Sequence, residues 1–333
     1  MPATQRRALS RRLAALAALI PVVALTSLAV GANPSSPAEL WHALAAPSGE
    51  EADVVVRTLR FPRTLLGLLV GASLGCAGIL MQGHTRNPLA EPGLLGVSAG
   101  AAFSVVVGLR AGIVESLVET VYAAALGALL ASLAVYALAR RSVSDGGPSL
   151  VVAGAAMTAF LTALTSAVVL LDAQTLDSYR FWAVGSLAGR GQDTALVIAP
   201  FACCGLLLAV VNARSLDVLA LGDEVARSMG LSVTRARVTG LAAVTLLTAA
   251  GVAACGPIAF IGLLTGHLAR ALVGPSWVLA LVAGALTGAA LLVATDIMGR
   301  LVGGPGELQV GVVAGLVGAP LLVWVVRRRG LVL

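Results

Sequence analysis

Runs of about twenty apolar residues recur from one end of this chain to the other, parted by short polar connections. A helix of that length is about 30 Å long, the thickness of the hydrocarbon core of a bilayer. The runs fall at residues 13–31, 64–83, 94–110, 118–139, 150–171, 194–211, 238–256, 258–273, 276–297 and 308–326, ten in all. Composition agrees with a lipid environment: 58% of residues are hydrophobic and 11% charged, where soluble domains average about 25% charged. The 38 glycines suit close helix packing in lipid, where small residues let backbones approach. The expected fold is all-α: a polytopic membrane protein with about ten spans, forming one domain over residues 1–333. The formal charge of +6 carries no nucleic-acid reading, because the charges lie mainly in the connections.

Arg6, Arg7, Arg11 and Arg12 precede the first run. That pattern fits a signal peptide, with SLAVGA as a small-residue cleavage site, and equally a retained first span. Retention is favoured and leaves residues 1–12 as a short cytoplasmic N-terminus. Pro34 and Pro37 then break the helix, and Trp41 suits an interfacial anchor. Pro88, Pro92 and Gly93 make the connection after the second run a tight, irregular turn. Segment 172–193 is too polar to cross lipid and reads as a short interfacial or re-entrant helix, with Tyr179, Phe181 and Trp182 at headgroup level. With ten spans and the N-terminus inside, one face receives 15 of the 22 arginines and the other 7, while the acids divide 5 against 11. Arginine excess marks the cytoplasm, so both termini are expected inside a plasma (inner) membrane.

The longest polar interruption in the second half of the chain, at about 213–237, lies on the arginine-rich face. Asp223 to Met229 predicts two turns of helix, with Asp223 and Glu224 at its start and Arg227 toward its end, the polarity the helix dipole prefers. Gly230 suits a left-handed cap, and Ser232 is placed to cap the next helix. Leu221, Val225, Met229 and Leu231 put apolar knobs on this loop. It reads either as a docking platform for a soluble partner or as a solvated connector with buried anchors.

Several chemistries are excluded or weakened. All 22 basic residues are arginine. A P-loop places a lysine on the nucleotide phosphates, so any ATP hydrolysis belongs to another chain and no enzyme activity is expected here. Cys76, Cys203, Cys204 and Cys255 lie in apolar runs without metal-ligand spacing, and the adjacent Cys203 and Cys204 read as packing residues. No metal or cofactor is expected. His42, His84 and His267 are too scattered for a catalytic constellation; His267 and Arg270, a turn apart, read as a packed or interfacial pair. Asp296 and Arg300 stand at i,i+4, a spacing that serves an ion pair about as readily as a proton relay. Arg60, Arg63 and Arg300 stand at the outer ends of spans, either snorkelling to headgroups or receiving acidic groups of an external partner.

Four ordered motifs resemble one family. RFPRTLLGLLVGASLGCAGILMQGHTRNPLAEPGLLGVSAGAA at 60–102, LGDEVARSMGLSV at 221–233, GPIAFIGLLTGHLAR at 256–270 and ATDIMGR with GELQVGVVAGLVGAP at 294–320 are similar to the signature segments of the iron-siderophore and cobalamin permeases, the FecCD family. The resemblance covers nearly the whole chain. It implies the permease subunit of a type II ABC importer, with a second permease subunit, two cytoplasmic ABC ATPase subunits and a periplasmic or lipid-anchored substrate-binding protein as partners. It implies that Arg60, Arg63 and Arg300 receive acids of that binding protein. It implies that the ATPases grip Leu221, Gly222, Asp223, Glu224, Ala226, Arg227, Met229 and Gly230, and that the cytoplasmic gate lies near Ser144 and Asp145. Gly266 stands where the family commonly has proline, and so does Gln309. Ferric siderophore is the foremost cargo implied, with cobalamin or haem next. An ion-coupled secondary transporter is the rival class, weakened because no span carries an acid-rich face.

Overall fold

A computed structural model describes residues 3–31, 34–139 and 148–329. Its elements run α1 (Ala3–Ala29), α2 (Pro37–Ala45), α3 (Glu51–Val54) continuing through a π-helical turn (Val55–Arg60) into α4 (Phe61–Thr85), a 3₁₀ turn (Pro92–Leu95), α5 (Val97–Arg110), α6 (Leu117–Ala139), α7 (Pro148–Leu170), α8 (Ala173–Ala183), α9 (Gln192–Leu219), α10 (Asp223–Ser228), α11 (Val233–Cys255), α12 (Ile261–Val273), α13 (Trp277–Val302) and α14 (Val310–Arg329). Among the described residues, seven of these stretches are long and apolar enough to cross a membrane, and three shorter apolar helices, Val97–Arg110, Ile261–Val273 and Val310–Trp324, complete the ten expected runs.

α4 is the centre of the bundle. It packs along α13 and touches α9, α11 and α12, while α5 joins α6 and α7 at one side and α1 lies against α13. The sequence explains why α4 and α13 approach so closely. Gly71 and Gly75 on α4 face Gly288 and Gly284 on α13: a Cβ at Gly71 would lie 2.4 Å from the Gly288 carbonyl oxygen, and one at Gly75 would lie 2.3 Å from that of Gly284. Any larger residue pushes backbone against backbone, so the small-residue spacing fixes this pair.

Local chemistry sets the ends of the shorter elements. Ser36 and Glu39 form a reciprocal capping box at α2. Asp172 caps α8, accepting the Thr175 backbone N–H at 2.9 Å. The expected run at 258–273 is shorter as helix, because Gly256 to Phe260 stay non-helical and Phe260 sits at φ +69°. α9 runs on to Leu219, so the first part of the polar interruption continues a span. Trp41 is exposed. On α8, Phe181 is exposed whereas its neighbour Trp182 is buried. The adjacent Cys203 and Cys204 point out of the subunit, whereas Cys76 and Cys255 are buried.

Candidate functional site

Two polar clusters stand at opposite ends of α4. The first begins where the π-helical turn hands over to α4. The π-helical turn ends on Arg60 and the first turn of α4 carries Arg63, and both reach inward, Arg60 to the end of α1 and Arg63 to α13. Arg63 is gripped on two sides: Nε lies 3.0 Å from Asp296 Oδ2, Nη2 2.8 Å from Asp296 Oδ1, and Nη1 2.7 Å from Glu307 Oε2. Arg300 reaches the same carboxylate at 3.2 Å. It also donates to the Ser27 and Val30 carbonyl oxygens at 2.8 and 2.6 Å, and to Ser27 Oγ at 2.7 Å. Arg60 donates to Leu28 O at 2.8 Å and to Ser35 Oγ at 2.9 Å. Asp296 is 2% exposed, so one buried carboxylate serves two guanidinium groups.

The spacing of Asp296 and Arg300 thus gives the ion pair of the two options, and Arg63 joins it from 233 residues away. None of the three arginines snorkels into open solvent. They line a cleft of about 820 Å³, together with Glu39, Glu51, Arg190 and Glu307. Glu307 sits at φ +35°, an uncommon conformation for a non-glycine residue, in the glycine-rich turn between α13 and α14.

The second cluster is the polar platform. Gly222, at φ +106°, turns the chain out of α9, and α10 follows with Asp223 and Glu224 in its first turn and Arg227 in its last. Gly230, at φ +83°, ends it: the Leu231 N–H bonds Ala226 O and the Gly230 N–H bonds Arg227 O, both at 2.9 Å, a Schellman pattern. Ser232 occupies the expected N-cap of α11, but its side chain makes no cap bond. Leu221, Val225 and Met229 are 60%, 45% and 62% exposed, whereas Leu231 packs against the core and Ala226 is buried.

Sequence spacing missed what holds this platform in place. Asp223 accepts from Arg86 at 2.6 Å and from Arg237 at 2.7 Å, with Arg227 4.0 Å away. Arg86 also donates to Leu219 O at 2.8 Å. One carboxylate therefore joins the end of α4, α10 and the start of α11. Nearby, His84 Nε2 lies 2.7 Å from Asn212 Oδ1, and Asn212 Nδ2 donates to Ala236 O at 2.6 Å. Arg86 and His84 stand 137 and 128 residues from Asp223 and Asn212, whereas Arg237 is 14 residues from Asp223, inside the same polar stretch. Arg270 lies over the Trp277 ring at 4.7 Å. Ser144 and Asp145, the expected gate residues, fall outside the described residues.

Bundle and clusters together define a polytopic helical protein of membrane-spanning character, with a platform tethered by ion pairs at one end. The FecCD transport family model matches residues 19–328, and the chain belongs to that family. It is 43% identical over 314 residues to the ferric enterobactin transport system permease protein FepD of Escherichia coli (strain K12), covering 93% of each chain. It is 35% identical over 318 residues to the hemin transport system permease protein HmuU of Yersinia pestis, again covering 93% of each. Other relatives are named for ferric citrate, hydroxamate and cobalamin import. Among solved structures, a metal-chelate type ABC transporter in an inward-facing conformation superposes with TM-score 0.84 at 26% identity, over 96% of this chain and 99% of that one.

Proposed function

We propose that this chain is the permease subunit of an ABC importer and carries a ferric chelate along a path enclosed with a second permease subunit, identical or homologous. Two separate cytoplasmic ABC ATPase subunits hydrolyse the nucleotide. The observation that carries this reading is the platform. α10 exposes Leu221, Val225 and Met229 as apolar knobs, while Asp223 ties it to α4 and α11. A push on α10 is thereby delivered to the central helix of the bundle. The motion is rigid-body gating of a bistable bundle, with no chemistry in the membrane. The platform end and both termini face the cytoplasm in this account, in line with the arginine excess.

The opposite cleft then faces an external binding protein. Arg60, Arg63 and Arg300 are its docking arginines, reached by exchange: an incoming carboxylate takes the place of Glu307 on Arg63. Glu307 is the partner to give way, because its side chain is 32% exposed against 2% for Asp296. The gate lies near Ser144 and Asp145. Ferric siderophore is the cargo, supported by the relative at 43% identity; haem and cobalamin follow, on the hemin and cobalamin relatives. Engagement of Asp296 by two arginines supports a structural role over a proton relay, which weighs against an ion-coupled carrier.

The test is uncoupling. Gly222→Pro demands φ near −65° where the chain holds +106°, and Glu224→Arg reverses an exposed charge beside the knobs. Both variants are expected to insert normally and to lose ATP-driven uptake. Unchanged uptake with unchanged cargo-stimulated ATPase activity sinks the coupling assignment.

A further inference from the structure

α1 turns most of its surface away from the bundle. Leu9, Leu13 and Leu16 pack against the core, while Arg7, Arg11 and Arg12 beside them are exposed. Further along the helix Val22 and Leu25 are exposed too. At about 100° per residue, Arg7, Arg11, Val22 and Leu25 fall on one stripe of α1. That stripe changes from charged to apolar along the helix, as a span does where headgroups give way to hydrocarbon.

A second helix brings another cation to the charged end. Arg12 Nη1 donates to Leu272 O at 2.9 Å, at the carbonyl end of α12. Arg270, two residues back on α12, lies with its guanidinium 4.7 Å from the centre of the Trp277 ring. The helix between Arg12 and Ser27 is about 22 Å long, and Ser27 meets Arg300, so this corner stands at the opposite end of α1 from the cleft. Among the described residues none of Arg7, Arg11, Arg12 and Arg270 forms an ion pair. Asp217, the acid at this corner, accepts the Trp277 backbone N–H at 2.9 Å, at the start of α13. The helix dipole favours a cation at the end of α12, and an indole face favours Arg270. Neither supplies a counter-anion to four cations.

We propose that this corner binds the phosphodiester of an anionic glycerophospholipid. Arg12 and Arg270 hold the phosphate oxygens, Arg7 and Arg11 add charge at headgroup level, and the acyl chains lie along Val22 and Leu25. A guanidinium has five donors, so the Leu272 bond leaves Arg12 others to offer, and its planar fork matches phosphate oxygens. Basic pockets between spans suit acidic headgroups. The continuity of the charged stripe with the exposed apolar one favours a lipid over a soluble acidic partner. The site stands independently of the importer reading, because the chain alone suffices to show it.

The experiment uses the full chain in detergent micelles with equal amounts of phosphatidylglycerol and phosphatidylcholine, and native mass spectrometry reads the lipid retained. An arginine near an acidic headgroup is worth about a fivefold preference, so phosphatidylglycerol is expected to be retained at least about tenfold over phosphatidylcholine. Arg270→Gln and Arg11→Gln, which leave the Arg12–Leu272 bond in place, should each lower that preference about fivefold. Arg12→Lys keeps most of it. Arg235→Gln removes an exposed arginine at the start of α11 and should leave it unchanged, and an excess of sodium phosphate should not displace the lipid. Equal retention of the two lipids, an unchanged preference in both Arg270→Gln and Arg11→Gln, a loss in Arg235→Gln as large as theirs, or displacement by phosphate overturns the proposal.

Discussion

Removing Asp296 tests how the arginine end of the bundle is held. Its carboxylate is 2% exposed and bonded to Arg63 through two nitrogens and to Arg300 through one. In Asp296→Ala both guanidinium groups stay buried and lose their shared counter-charge. Breaking a buried pair by deleting one partner costs about 3–5 kcal/mol, mostly the penalty of the charge left behind. Arg300 keeps its bonds to Ser27 and Val30, and Arg63 keeps Glu307, so the lower half of that range is expected. Glu307→Gln provides the contrast. That side chain is 32% exposed, its pair with Arg63 is partly screened, and about 1 kcal/mol or less is expected. Equilibrium unfolding in mixed micelles measures both. If Asp296→Ala costs no more than Glu307→Gln, the carboxylate is not the hub the geometry makes it. The exchange mechanism for docking then loses its premise that Glu307 is the partner free to leave.

Other expectations are sharper in direction than in size. Gly75→Leu drives a side chain into the Gly284 carbonyl and is expected to cost at least about 1–3 kcal/mol as overpacking; a thermal midpoint equal to wild type would contradict the α4–α13 contact. At the entry to α8, hydrogen bonds from Thr175, side chain first and then backbone, hold the Asp172 carboxyl below its ordinary pKa. A depressed pKa gives stability that is present above the unfolded value, about 3.9, and is lost as pH falls through the folded one. Asp172→Ala should therefore be less stable than wild type at neutral pH and converge with it in acid; a gap that persists through the acid limb refutes the cap. On α10, Met229→Glu puts a charge on an exposed apolar knob and should weaken co-purification of the ATPase without moving the thermal midpoint, whereas undiminished recovery of the ATPase places its grip elsewhere.

Much of this architecture was legible in the residues because lipid imposes a coarse rule. Runs of the right length announce spans, and each expected run meets an apolar helix. Gly230 announced the end of α10, since a left-handed turn there suits glycine. What stayed hidden depended on partners far away in the chain. Asp223 looked like an acid at a helix start, yet it is held by Arg86, 137 residues away, as well as by the nearer Arg237. Asp296 and Arg300 were readable as a pair, but Arg63 was not readable as the third member. Phe181 and Trp182 looked alike in sequence, yet Phe181 is exposed and Trp182 buried, a difference that adjacent aromatics do not announce. Leu231 was counted among the knobs because spacing alone does not show which side of a short loop meets the core.

Uptake by purified components bears most directly on the central claim that this bundle is moved by nucleotide hydrolysis on other subunits. Proteoliposomes carrying the chain with the proposed second permease subunit and ATPase pair, supplied with the proposed external binding protein and a ferric siderophore, should accumulate the chelate against its gradient. ATP should be required, and collapsing the ion gradients should leave the rate unchanged. Accumulation by vesicles that hold this chain without any ATPase contradicts the account outright.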